Sequence, residues 1–139
     1  MKVEGIDFSG KGRVLGVGVD LIEVSRIKNM LARHEERFLE KVYTEQEREY
    51  CMRMKHPYKH LAARLAAKEA VSKCFGTGIG SELSWQSVSV INGFNGEPQI
   101  CFDEKGSRLL SERGGEAVLI SLSHTESMAV AFAVLVANT

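Results

Sequence analysis

AVLISLSHTESMAVAFAVLV, residues 117–136, is the stretch whose reading decides the fold class. Its second half is rich enough in alanine to pass for a helix. The period says otherwise: Val130, Phe132, Val134 and Val136 recur every second residue, which puts them on one face of a strand and the alanines on the other. AVLISLSH (117–124) alternates in the same way, and the three residues Thr125, Glu126 and Ser127 between the runs suit a hairpin loop. The chain is therefore expected to close on an antiparallel β-hairpin.

Working outward, VLGVGVD (14–20) is a β-branched run that reads as a buried strand, with Gly16 and Gly18 admitting another backbone at close range. Ile27, Met30, Leu31, Phe38 and Leu39 recur at helical spacing between Ile22 and Val42, predicting one or two amphipathic helices. Thr44 and Glu47 make a capping box for a short helix from Glu45 to about Met52. Pro57 precedes the longest helical signal, Tyr58 to Phe75, which Gly76 stops. SWQSVSVI (84–91) alternates as a strand, INGFNGEP (91–98) turns, and QICF (99–102) returns, with Pro98 fit for a strand start or edge. Asp103 to Arg113 reads as a helix capped near Asp103 and stopped at Gly114-Gly115. No repeat, low-complexity segment or linker interrupts the pattern, so the class is α+β in a single domain.

The 139 residues, 44% hydrophobic and 26% charged, are about one domain and enough for a core. Eighteen Lys and Arg balance eighteen Asp and Glu, which argues against a general nucleic-acid binder or a polybasic membrane anchor. The sequence pI near 6.9 and the lack of a basic–aromatic array point the same way. No apolar run approaches the roughly 20 residues of a membrane span, and residues 1–13 lack the continuous apolar core of a secretory signal. Cys51, Cys74 and Cys101 are odd in number and scattered, and read as reduced thiols of a cytoplasmic protein. Neutrality hides a local imbalance: from Arg26 to Lys73 there are twelve Lys and Arg against seven Asp and Glu.

The long helix carries the most chemistry. Ala63, Ala66, Ala67, Ala70 and Cys74 share a face on which a helix can lie close to a sheet, and Arg64, Lys68, Glu69 and Lys73 are read on the opposite side. Glu69 and Lys73 can be an ordinary i,i+4 ion pair on a solvated face, worth a few tenths of a kcal/mol. Alternatively, three cations around one carboxylate can hold phosphate oxygens and a metal together. Asp20, at the end of the first strand, can cap the next helix, with Glu23 completing the pattern. Paired with Glu69, it can instead supply the two carboxylates that Mg²⁺ commonly takes from protein. The GTGIG loop (76–80) offers backbone N–H groups to an anion, although Gly76 is also explained as a helix stop, and the P-loop pattern is absent. Ser123-His124 closes a strand without any nucleophile-elbow context; a lone His is more often structural.

GVGVDLIEVSRI (16–27), FLEKVYTEQE (38–47), RLAAKEAVSKCFGTGIG (64–80), NGEP (95–98) and ISLSHTESMAVAFAVL (120–135), in this order, resemble the holo-acyl-carrier-protein synthase family, the small bacterial 4′-phosphopantetheinyl transferases. The resemblance spans Val14 to Val136 and implies an antiparallel sheet packed on a long central helix with shorter helices around it. It implies transfer of 4′-phosphopantetheine from coenzyme A to a serine of apo acyl carrier protein in fatty acid biosynthesis, Mg²⁺-dependent, releasing adenosine 3′,5′-bisphosphate. A cytoplasmic homotrimer with sites between subunits follows from the same resemblance.

Carried over by position, Asp20 and Glu69 are the expected Mg²⁺ ligands and, with Lys73, the catalytic group. Lys73 is expected on the pyrophosphate. Arg64, Lys68, Gly76, Thr77, Gly78, Ser123, His124 and Thr125 are expected around coenzyme A, and Arg26 on the acidic helix of the carrier protein. The serine proton would go to a metal-bound water or to Glu69. The chain departs from the family at residues 1–13, an extension to which no function is assigned ahead of the domain at 14–139. Lys41 and Tyr43 also stand where relatives often have Arg and Leu. The competing reading is a non-catalytic module that binds coenzyme A or a carrier protein.

Overall fold

The computed structural model describes residues 12–137, together with the backbone of two short paired strands, β1 (Lys2–Val3) and β2 (Ile6–Asp7). The rest of the 1–13 extension lies outside the described residues, and Arg13 itself already belongs to the first long strand, β3 (Arg13–Glu23). Then follow α1 (Val24–Val42), α2 (Glu45–Met52), α3 (Pro57–Phe75), β4 (Val88–Asn92), β5 (Pro98–Phe102), α4 (Glu104–Glu112), β6 (Ala117–His124) and β7 (Met128–Ala137). This is the expected α+β architecture. A three-stranded antiparallel sheet in the order β3-β7-β6 packs on α3, and the β4–β5 hairpin forms a second small sheet beside it.

The sheet admits the helix because its inner face is made of small residues. Gly16, Gly18, Asp20 and Ile22 of β3 pair with Leu135, Ala133, Ala131 and Ala129 of β7. A Cβ at Gly16 would collide with the Cys74 carbonyl oxygen, and one at Gly18 with that of Ala70. Both glycines are therefore required by close approach of α3. The register shifts between Val14 and Gly16, and this bulge leaves Val14, Val17, Val19 and Leu21 all on the outer face. With Phe132 they form an exposed apolar patch, each residue between 47% and 62% exposed.

On its other side α3 meets α1, α2 and β4, so it is buried nearly all round, Arg64, Lys68 and Ser72 included. The solvated face read from the sequence shrinks to the edge that carries Glu69 and Lys73, because the helix is enclosed by two layers. Its stop is as expected, with Gly76 at φ 74°.

Two local expectations need correction, those for Asp20 and for the strand at 84–91. β3 runs three residues past Asp20, and α1 begins after Glu23 without a side-chain cap, so Asp20 caps nothing. α1 agrees with the expectation of one or two helices: it is one run broken at His34, where φ and ψ leave the helical region. Trp85–Ser87 is a 3₁₀ turn, not strand, because the Ser84 and Ser87 hydroxyls bond each other at 2.9 Å and Ser87 Oγ accepts the Ser84 N–H. The Thr44–Glu47 capping box and the Asp103 cap form as read.

No described helix is long and apolar enough to cross a membrane. Cys51 and Cys74 are buried and Cys101 is exposed, all as free thiols. Burial pushes the Cys51 thiol up to about 12 and that of Cys74 to about 11.

Gly18→Ala is expected to destabilise the protein by about 1–3 kcal/mol, the range for overpacking a rigid contact. Urea unfolding measures it; a change below a few tenths of a kcal/mol would remove the close-packing argument.

Candidate active site

Asp20 leaves the inner face of β3 beside α3. The Lys73 ammonium donates to Asp20 Oδ1 at 3.1 Å and to the Val19 carbonyl at 2.9 Å. Glu69 stands one turn before Lys73 on the same flank. Its carboxyl is raised above the ordinary range by burial and then by the Asp20 charge, while Lys73 and Arg26 pull it down. Those interactions place Asp20, Glu69, Lys73 and Arg26 in one cluster. Lys73 does not simply pair with Glu69 along the helix, as the i,i+4 reading had it; it bridges from α3 to β3.

A second cluster occupies the other flank. The Arg64 guanidinium lies 4.3 Å from the centre of the Tyr50 ring and donates to Asn92 Oδ1 at 3.1 Å, while its Nε is buried without a partner. His60, one turn earlier on α3, packs edge-to-face on Tyr50 and on His124 of β6, with ring centres 6.2 and 5.3 Å apart. At 100° per residue, His60 is about 180° and Arg64 about 140° around the helix from Glu69. Arg64, Lys68, Glu69 and Lys73 therefore do not share a side.

Lys68 needs the largest correction. It is fully buried, with Nζ 2.7 Å from Glu47 Oε1 and donating to the Trp85 and Val88 carbonyls at 2.8 and 2.6 Å. All three ammonium protons are spent inside the protein, so none remains for a phosphate. Burial lowers its pKa and Glu47 pulls it back up. Glu47 also accepts the Thr44 and Val90 N–H groups, each at 2.8 Å, and so joins α2, α3 and β4.

The GTGIG loop is likewise not an open amide cradle. The N–H groups of Gly76, Thr77 and Gly78 donate to the Lys73 and Ser72 carbonyls, closing the helix end, and that of Gly80 donates to Leu83. Their glycines serve positive φ, 74° and 66°, next to Lys73. Ser123 and His124 point to opposite faces of β6, as strand alternation requires, which rules out a Ser–His pair. Thr125 turns its hydroxyl into the hairpin, accepting from Ser127 and Met128.

Sequence reasoning missed His60, Tyr50 and Asn92. The available signal was His60 four residues before Arg64, on one stripe of the helix. Glu47 was read only as half of a capping box, because nothing in its local sequence tells of the lysine 21 residues away.

The model of the 4′-phosphopantetheinyl transferase superfamily matches residues 16–133. The chain belongs to this superfamily. The transferase is 43% identical over 121 residues to holo-acyl-carrier-protein synthase of Chlamydia trachomatis serovar D, covering 87% of this chain and 98% of that one. It is 42% identical over 119 residues to that of Chloroherpeton thalassium, covering 86% and 95%. Among solved structures, the Neisseria meningitidis holo-acyl-carrier-protein synthase matches with a TM-score of 0.84 at 29% identity, over 88% of this chain and 98% of that one. A Bacillus anthracis holo-acyl-carrier-protein synthase, in complex with CoA (3′,5′-ADP), matches with a TM-score of 0.74 at 36% identity, over 89% and 97%. The superfamily fold is thus the observed one: α3 enclosed between the β3-β7-β6 sheet and the smaller elements.

Lys68→Met leaves the Glu47 charge buried and unpaired, and is expected to cost the transferase about 3–5 kcal/mol. Glu47→Gln with Lys68→Met removes both charges and is expected to regain most of that loss. Urea unfolding of the wild type, both single variants and the double variant measures the coupling; additive effects would show that the pair is not a unit.

Proposed function

We propose that this transferase moves 4′-phosphopantetheine from coenzyme A to a serine hydroxyl of apo acyl carrier protein, releasing adenosine 3′,5′-bisphosphate, in the cytoplasm and in the service of fatty acid biosynthesis. The observation that carries this reading is the Asp20–Lys73 contact with Glu69 on the same flank. Two carboxylates close enough for one to raise the other form an anionic pair that a divalent cation relieves. A pair of carboxylates with the remaining positions left to water and phosphate is the usual protein share of a Mg²⁺ site. Mg²⁺ bound by Asp20 and Glu69 would supply charge neutralisation on the pyrophosphate.

The chain's own groups do the rest. Lys73 is half exposed, so its pair with Asp20 is worth about 0–1 kcal/mol, and the ammonium is free to exchange that contact for a phosphate oxygen. Stabilising charge that develops on the leaving pyrophosphate is the main demand of phosphoryl transfer. The serine proton would go to Glu69 or to a water held beside it. The glycine turn at 76–78 lies beside Lys73 and, carrying no side chain at two positions, leaves that approach open. Arg26 is exposed on the first turn of α1, next to the same cluster, and suits an acidic helix of the carrier protein.

The two clusters stand on opposite flanks of α3, and the outer face of the sheet carries Val14, Val17, Val19, Leu21 and Phe132 uncovered. A homotrimer answers both: a head-to-tail contact between copies closes into a ring, covers the apolar patch and sets the Arg64–His124 flank of one copy against the Asp20–Glu69 flank of the next. Arg64 and His124 would then meet coenzyme A, and Ser123 and Thr125 would border the joint.

Incubation with apo acyl carrier protein, coenzyme A and Mg²⁺ is expected to add the phosphopantetheine mass to the carrier protein, and chelation of the metal to stop it. Asp20→Ala and Glu69→Ala should each lower the rate by about two orders of magnitude or more while the protein stays folded. Asp20→Ala and His124→Ala chains co-expressed should regain part of the activity that each lacks alone. Full activity of either carboxylate variant would remove the metal assignment, and a lack of complementation would remove the shared site. Bound coenzyme A without any adduct would favour the non-catalytic module.

Arg26→Ala is expected to weaken carrier-protein binding by about 10- to 100-fold with little change for coenzyme A, because one lost charge-assisted contact is worth about 1.5–3 kcal/mol. Titration calorimetry with each partner decides it; equal losses would assign Arg26 to the substrate pocket.

A further inference from the structure

His60 and Arg64, one turn apart on α3, both pack on Tyr50 of α2, and His124 at the end of β6 packs on His60. The groups that face His60 are His124 from β6, Tyr50 from α2, and Arg64 and Lys59 from its own helix. His124, Arg64 and Lys59 each disfavour its protonation. Arg64 has an amide, two carbonyl or ring contacts, and no carboxylate among its described partners. Such a cluster is unfinished without an anion. With the two imidazoles edge-to-face and a guanidinium on the same tyrosine as one of them, each additional positive charge raises the cost of the next.

We propose that His60 is a third anion-binding residue beside Arg64 and His124, and that the three take a phosphate monoester of the substrate together with a proton held by the His60–His124 pair. This rests on the coenzyme A reading above. It adds to it a residue that the sequence did not single out and a coupling between binding and protons. In the empty protein, burial and then His124, Arg64 and Lys59 hold the His60 imidazole below its ordinary value, so it is neutral at pH 7. A phosphate dianion reverses the local sign of charge and favours the imidazolium. Protons are then taken up from solvent on binding, and by linkage affinity rises as pH falls through the range where the complex holds the proton and the free protein does not.

The test uses the full chain, with adenosine 3′,5′-bisphosphate as probe and adenosine as the phosphate-free control. Binding is followed by calorimetry at pH 6.5 and pH 8, in two buffers of different ionisation enthalpy at each pH. The phosphate's own second ionisation near pH 6 acts equally on every variant, so the quantity that counts is the difference between proteins. The wild type is expected to bind about fivefold tighter at the lower pH relative to His60→Phe, within the limit of tenfold per unit for one proton, and to take up protons that the variant does not. Phenylalanine keeps the edge-to-face packing on Tyr50 and His124, and His60→Gln, which keeps a polar group without the charge, should behave like it. An equal pH slope and equal proton uptake in the wild type and both variants would overturn the role of His60 alone. If the bisphosphate binds the wild type no better than adenosine does at either pH, the coenzyme A reading fails along with it.

Discussion

The close contact between β3 and α3 governs everything else in this fold. A backbone carbonyl at Ala70 and another at Cys74 sit where side chains of Gly18 and Gly16 would otherwise stand. Alanines at 129, 131 and 133 extend the same small-residue floor across β7. Only at this separation does a lysine on the helix reach a strand carbonyl and the neighbouring aspartate together. Wider packing, with valines in place of the glycines, would still give a helix on a sheet, but Lys73 would no longer span from Glu69's helix to Asp20's strand.

The second constraint is electrostatic and lies deeper. The Glu47 carboxylate gathers a helix-cap amide, a β4 amide and the Lys68 ammonium, and Lys68 gathers two further carbonyls. Such a pair is costly to bury, yet both carboxylate oxygens and all three ammonium protons have partners. Lys68 and Glu69 thus do opposite things from adjacent positions: one is turned inward and holds the layers together, the other is turned outward and carries charge to the surface. Tyr43 adds to this interior network by donating its hydroxyl to the Leu61 carbonyl at 2.8 Å.

Most of the element order could be read because it is written in local signals. The period of residues 117–136, the stop at Gly76, the box at Thr44 and the turn before Pro98 each depend on neighbours within a few positions. Spacing leaves Asp20 open between a helix cap and a metal ligand, and Glu69 and Lys73 open between a surface pair and a phosphate site; the resemblance is what joins the three. The misreadings had a common physical source. Burial of α3 on two sides, the partner of Lys68, and the separation of Arg64 from Glu69 are set by what packs against the helix from far along the chain. The first two cannot be derived from any window around residue 68; the third follows from the helical angle and was available. The 3₁₀ turn at Trp85 was hidden because serine hydroxyls substitute for the ladder that alternation promises.

The placement of the three cysteines has a practical side. Cys51 and Cys74 are sealed into the interior with thiols held protonated, and Cys101 alone looks outward from β5. A thiol-directed reagent therefore marks the native molecule once, and marks it three times only when α2 and α3 have opened. The chain carries its own built-in counter of unfolding, readable as a mass ladder without any added probe.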